Sequence, residues 1–149
     1  MKVYIISSLR NPRVPHIGNR LRELGIEAFD EWHGGGPNAD ECWKEYEQIR
    51  GRSYKEALYS SYATHIWDYD KHHLDTSDAA VMVHPVGRSA HIELGIIIGQ
   101  NKPAFVLFDH DLSVGEARFD VMYRGCKDVF FEEDELIEAL ASVAEIRTL

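Results

Sequence analysis

Three short stretches of this chain hold residues that could do chemistry. The first is HPVGRSAHIELG, residues 84–95, where Glu93 opens an apolar run four residues after Ser89 and just past Gly87-Arg88. Ser89 is expected to cap a helix that reaches about Gln100, which sets Glu93 in the first turn or just beyond it. Ser89 and Glu93 then share one face. The helix dipole favours negative charge there, so an ionised Glu93 is expected, and such a carboxylate beside a cleft is a candidate nucleophile. Position alone suits a plainer role better, that of an acid complementing the dipole.

The second stretch is DYDKHHLDTSD, residues 68–78, in which Asp70, Leu74 and Asp78 recur every four residues. Asp78 abuts the next strand and caps a turn on this reading, while Asp70, two turns earlier, can point at a cleft. Cleaving a glycosidic bond requires two carboxyl groups in different environments, one to attack the anomeric carbon and one to give the leaving group a proton. The competing view of Asp70 is a solvated acid among Asp68, Lys71 and Asp75. The third stretch, SSLR, places Ser7, Ser8 and Arg10 between a strand and a helix. Hydroxyls, backbone amides and a guanidinium at such a junction suit a phosphate, and they equally suit an ordinary polar turn.

Other chemistries fit less well. His72, His73, His84 and His91 match no metal-ligand spacing, and adjacent helical histidines point about 100° apart, so no metal is expected. There is neither a Walker lysine motif nor a GxGxxG fingerprint, so no cofactor is expected, and the GGG at 34–36 is not placed as a dinucleotide loop. Cys42 and Cys126 read as solitary reduced thiols of a cytoplasmic protein, and a nucleophilic Cys126 is disfavoured.

These groups need a scaffold, and the pattern alternates strand with helix. Lys2–Ser7 reads as a buried strand and Val14–Leu24 as a helix with one apolar face, stopped by Gly25. Ile26–Phe29 is a second strand, and the GGGPNAD segment from Asp30 to Asp40 is a loop. A helix follows from about Asp40 to Arg50. Another starts at Ser53, where SYKE forms a capping box with Glu56, and runs unbroken to about Asp75. Ala79–Val83 is a central strand, Ala104–Phe108 another, and Val129–Phe131 a short last one before an amphipathic helix over Glu132–Ala144. The expected fold is α/β, a doubly wound, flavodoxin- or Rossmann-like sheet, mostly parallel, of about five strands flanked by helices, with residues 1–149 as one domain. Ligands of such sheets bind at the carboxyl ends of strands, here the loops 7–12, 30–38 and 84–89.

Composition narrows the partners. Sixteen basic and twenty-five acidic side chains in 149 residues give a net charge of −9, which repels a nucleic-acid polymer but leaves room for a small anion at a local group of arginines. No apolar run is long enough to span a bilayer, and the first residues lack the pattern of a signal peptide, so neither membrane nor export is expected.

Taken in order, VYIISSLR, DKHHLDTSDAAVMV and GRSAHIELG resemble the nucleoside 2-deoxyribosyltransferase superfamily, which includes the 2′-deoxynucleoside 5′-monophosphate N-glycosidases. The resemblance covers roughly residues 2–110. It implies Tyr4, Asp70 and Glu93 as catalytic groups, with Glu93 the nucleophile, Asp78 as the family's second aspartate, and a homodimer or larger assembly. It implies a nucleoside or nucleotide substrate, its phosphate held by Ser8, Arg10, Gly87, Arg88 and Ser89. Gly87 stands where transferases carry a substrate-positioning acid, a departure that points to a phosphorylated substrate. The segment WKEYEQIRGRSY, with Trp43, Tyr46, Arg50, Arg52 and Tyr54, exceeds the family pattern. It reads as a structural helix hairpin, with a base-stacking lid or subunit contact as alternatives. Two other activities remain open: a nucleotide-sensing module without turnover, and a glycohydrolase of the nicotinamide–ribose bond.

Overall fold

A computed structural model describes residues 1–148. Five strands, β1 (Lys2–Ile6), β2 (Glu27–Phe29), β3 (Ala79–Val83), β4 (Ala104–Leu107) and β5 (Asp128–Phe130), form one sheet in the order β2-β1-β3-β4-β5. All four pairings are parallel, with Tyr4 opposite Ala80 and Val81 opposite Phe105. This is the expected doubly wound α/β sheet. Its strand order reverses between β1 and β3, where the helices after these strands leave toward opposite faces and open a crevice.

The strands are buried on both faces, as parallel strands under two helical layers must be, so they read as continuous apolar runs. Side chains still alternate. Val3 and Ile5 of β1 join Val81 and Phe105 in a core covered by α1 (Val14–Glu23) and α6 (Glu133–Thr148). Tyr4 and Ile6 join Ala80 and Met82 on the other face, under α4 (Ser61–Thr76) and α5 (Arg88–Gly99). Period-two alternation therefore puts the one phenol of β1 beneath α4 and α5.

Local signals explain most boundaries. Gly25, at φ +77°, provides the left-handed residue that ends α1. Ser53 and Glu56 make the capping box at the start of α3 (Tyr54–Leu58), each bonding the other's backbone. The helix expected to continue to Asp75 breaks instead at Tyr59-Ser60. Ser60, with an extended backbone and its hydroxyl accepting from the amide of Ala63, caps the separate helix α4. The 30–40 segment is more ordered than a plain loop: a 3-10 turn occupies Glu31–Gly35, and α2 (Ala39–Ile49) follows.

At the ends of the strands opposite the crevice, Asp78 accepts from the Lys2 amide at 2.8 Å and from Arg147 at 2.9 Å. Asp78 thus fastens the amino ends of β1 and β3, and its role is structural. No helix among the described residues is long and apolar enough to cross a membrane.

Candidate active site

Both candidate carboxylates sit on stripes that their helices turn inward. In α5 the buried residues are Ala90, Leu94 and Ile97, and Glu93 lies three residues after the first and four before the last. In α4 the one buried residue is Leu74, and Asp70 precedes it by a turn. Tyr4, only 1% exposed, rises from β1 between them. The three side chains are electrostatically coupled, and the Tyr4 hydroxyl hydrogen-bonds the Glu93 carboxylate.

Burial governs the charge state of this trio. It lifts Asp70 from 3.8 to about 6. It lifts Glu93 from 4.5 to about 7, with the Asp70 charge adding to the rise and the Tyr4 hydrogen bond opposing it. The Tyr4 phenol is raised far above its ordinary value by burial and by the two acids, so it remains an O–H donor. The expectation of an ionised Glu93 is therefore overturned. Glu93 lies in the second turn of α5, where the dipole has weakened, and loss of water outweighs it. The rise at Asp70 suits a carboxyl that is to give up a proton near neutral pH. Between about pH 6 and 7 the pair holds, on average, one proton between its two carboxyls.

The surrounding contacts fix the two helices. His73, one turn after Tyr69, stacks on Phe29 of β2 with ring centroids 3.8 Å apart, and the Tyr69 hydroxyl donates to Glu31 at 3.2 Å. Lys102 donates to the carbonyls of Leu74 at 3.0 Å and Asp75 at 2.8 Å, and Gln100 reaches Asp75 at 2.7 Å. The Lys102 ammonium on the last carbonyls of α4 and the Gln100 amide on the Asp75 carboxylate tie α4 to the end of α5 and hold Asp70 and Glu93 at a set separation.

The residues expected to receive a phosphate are divided between two adjoining loops. Ser8 accepts from the Arg10 amide at 3.2 Å, and Arg10 itself is exposed. Gly87, not Ser89, is the N-cap of α5, with no side-chain cap; Arg88 and Ser89 are the first two helical residues and both are exposed. Ser89 points outward because the inward stripe starts at Ala90. Neither Arg10 nor Arg88 has an ion-pair partner among the described residues.

The residue that joins these loops escaped the sequence reading. Asn11, 2% exposed, donates through its amide to Ser7 Oγ at 3.0 Å and to the carbonyls of Val83 and His84 at 3.3 and 3.2 Å. Ser7 adds a bond to the Val83 carbonyl at 2.6 Å. Apart from the bond between Asn11 and Ser7, these are contacts between residues more than 70 apart, so nothing local announces them. Its place in a strand-to-helix loop was the only signal.

A second unforeseen group lies past β3. Nδ1 of His91 faces the Gly87 carbonyl at 2.9 Å, its Nε2 meets the Tyr123 hydroxyl at 2.9 Å, and that hydroxyl meets His84 Nε2 at 3.2 Å. A carbonyl only accepts, so a neutral His91 carries its proton on Nδ1. Tyr123 then donates to His91 and accepts from His84. The chain ends on the residue that caps α5.

Two cavities stand out, and neither includes Tyr4, Asp70 or Glu93. One of about 660 Å³ is walled by Gly35, Pro37, Cys42, Trp43, Tyr46 and Tyr62, among others. The other, about 440 Å³, adjoins the hydrogen-bonded chain and includes His84, Asp109, Arg118 and Tyr123.

With this geometry in hand, solved structures are informative. A 2-deoxyribosyltransferase from the psychrotolerant bacterium Bacillus psychrosaccharolyticus superposes with a TM-score of 0.60 at 18% identity, over 92% of this chain and 90% of that one. A CMP N-glycosidase of Clostridium botulinum superposes with a TM-score of 0.51 at 17% identity, over 94% and 98% of the two chains. The chain shares their fold. No protein-family model matches the sequence, and no curated protein matches it significantly. The match spans nearly the whole chain, including the segment beyond residue 110 where the sequence resemblance fades.

Proposed function

We propose that this protein cleaves, or transfers a sugar across, the N-glycosidic bond of a nucleoside or nucleoside 5′-monophosphate. The observation that carries the reading is the Tyr4–Glu93–Asp70 cluster: two inward-facing carboxyls whose pKa values burial raises, with the Asp70 charge adding to the rise at Glu93 and a buried phenol bonded to Glu93. The fold shared with a deoxyribosyltransferase and a CMP N-glycosidase supports it.

In this mechanism the Glu93 carboxylate attacks C1′ as the bond to the base breaks through an oxocarbenium-like state. Asp70 gives its proton to the departing base nitrogen. Tyr4 donates to Glu93 and orients it. Water, or the nitrogen of an acceptor base, then attacks C1′ and releases Glu93, and Asp70 takes up the proton lost by the attacking group. The productive form has Glu93 ionised and Asp70 protonated. Exposed Arg10 and Arg88, with Ser8, Ser89 and the free amides at the Gly87 end of α5, would grip a 5′-phosphate.

Release of free base from a panel of nucleotides and nucleosides, with and without an added acceptor base, tests the reading. Wild type is expected to release base and Glu93→Ala to release none. Equal release by both proteins removes Glu93 from the mechanism, and no release from any substrate refutes the activity.

The same reading includes a homodimer or larger assembly. The neighbouring helices α2 to α5 expose Ile49, Tyr54, Tyr59, Trp67 and Ile92, apolar side chains a second copy would cover. Light scattering is expected to give a mass of at least two chains, and a monomer at assay concentration would refute this part.

A further inference from the structure

Between β3 and α5 the chain turns on Gly87, the N-cap of α5, which has φ −110°, ψ −157° and no side-chain cap. That extended conformation is open to any residue, and a Cβ added at Gly87 would meet nothing within 4 Å. Neither strain nor packing therefore calls for glycine here. A glycine pivot also loses more backbone freedom on folding than any other residue would. Contacts from outside the turn have to hold it in place.

The turn is held at both ends. At its start Asn11 donates to the His84 carbonyl at 3.2 Å. At its end His91 donates through Nδ1 to the Gly87 carbonyl at 2.9 Å, since a carbonyl only accepts. The His91 ring is exposed, and by itself it would be free to swing away. Tyr123 prevents this, its hydroxyl lying 2.9 Å from His91 Nε2 and 3.2 Å from His84 Nε2. Tyr123 is in turn fixed from the core. Its ring meets Phe108 edge-on at 5.2 Å, and His84 stacks on the same phenylalanine at 4.7 Å. The 3-10 turn Val121–Gly125 that carries it is capped by Asp120, which accepts from the Met122 amide at 3.0 Å. The brace thus runs from buried Phe108, just past β4, to the backbone of the Gly87 pivot.

We propose that His91 and Tyr123 are positioning residues. Through the Gly87 carbonyl they fix the first turn of α5, and with it the place where Arg88 and the free amides of that turn meet the substrate's phosphate. The inference deepens the functional reading above and rests on its phosphorylated substrate. Arg88 is exposed and has no ion-pair partner among the described residues, so its position depends on the turn beneath it. Glu93 lies one turn further on, held by the Tyr4 bond and by the buried stripe of Ala90, Leu94 and Ile97. Loosening the first turn therefore weakens the grip on the anion and spares the chemical step.

Ribose 5-phosphate carries the anion but has no base to lose, so calorimetric titration with it reads the grip alone. Tyr123→Phe keeps the ring packed on Phe108 and removes only the hydroxyl. This variant and His91→Ala, both checked by circular dichroism, are each expected to raise Kd about fivefold, the worth of one hydrogen bond. The double variant is expected to match His91→Ala, because the hydroxyl acts only through the imidazole. His91→Asn, whose side-chain amide can take the place of Nδ1–H, is expected to stay within about twofold of wild type. Unchanged affinity in both single variants overturns the proposal. So do losses that multiply in the double variant, an asparagine as weak as alanine, or a wild type that does not bind ribose 5-phosphate at millimolar levels. With a monophosphate that the enzyme cleaves, KM is expected to rise about fivefold at unchanged kcat, and a fall in kcat alone refutes a role in positioning the phosphate. Weakened ribose 5-phosphate binding in the variants, without base release by the wild type, would sink the glycosidase reading alone. Base release with Kd and KM unmoved by either substitution would sink this inference alone.

Discussion

The most direct test of the site needs no substrate. Glu93 is an acid raised from 4.5 to about 7, so the folded protein holds its proton where the unfolded chain has lost it. A folded state that binds more protons loses stability as pH rises, here from about 4.5 through about 7. Integrating that difference gives a cost of about 0.8 kcal/mol at pH 5 and about 3.3 kcal/mol at pH 8. Glu93→Gln preserves shape and can still accept from Tyr4, but it has no charge to bury. The variant is expected to gain about 2.5 kcal/mol more at pH 8 than at pH 5, which for a chain of this size is roughly 5–10 °C in Tm. Urea unfolding of both proteins at the two pH values measures it. An equal difference at both, or a variant less stable than wild type at pH 8, would refute the reasoning that burial sets the acidity of Glu93. A carboxylate kept at such a cost is expected where function, not stability, selected it.

Other outcomes follow from the same structure. The profile of kcat/KM is expected to be bell-shaped with limbs near pH 6 and 7, because Asp70 must hold its proton while Glu93 gives its own up. At the maximum each condition is met in roughly a quarter of molecules, so roughly one in sixteen is active. Tyr4→Phe removes the bond that favours ionised Glu93 and should move the alkaline limb upward by about one to two pH units while lowering the maximum, read in the same profile. Arg10→Ala and Arg88→Ala should each raise KM for a monophosphate about tenfold or more while leaving the unphosphorylated nucleoside unchanged. Gly18→Ala would put a Cβ 2.2 Å from Asp30 Oδ2 and disturb the ion pair of that buried acid with Arg22, with a loss of about 3 kcal/mol in chemical denaturation.

The parts of the fold readable in advance were those written in neighbouring residues. Strands buried on both faces show as unbroken apolar runs, so KVYII, AAVMV and AFVL were found within a residue or so of their observed ends. Ser53 with Glu56, and Gly25 after α1, act through bonds spanning a few residues, and they held. The helix break at Ser60 was missed because an uninterrupted polar pattern gives no period to lose, and a serine cap reads like any other serine. Ser89 was misplaced for a related reason: Gly87 already has the extended conformation of a cap, so the helix starts before the serine.

By itself the sequence determined an alternating α/β chain and, through the order of SSLR, Asp70 and Glu93, which side chains to watch. Spacing also put Asp70 on the stripe of Leu74, whereas it paired Glu93 with Ser89, which the structure leaves exposed. What only the tertiary structure decided depends on contacts across long separations and on exclusion of water. It brought Tyr4 under Glu93, sent Asp78 to the far end of the sheet, and used Asn11 to clasp two loops. It also formed an aromatic cavity at a segment read first as a structural hairpin, with a base-stacking lid or subunit contact as alternatives. The charge on Glu93 shows the division most clearly. From position along the helix it was an ionised acid at a dipole, and burial, which no local pattern encodes, left it half-protonated near neutrality.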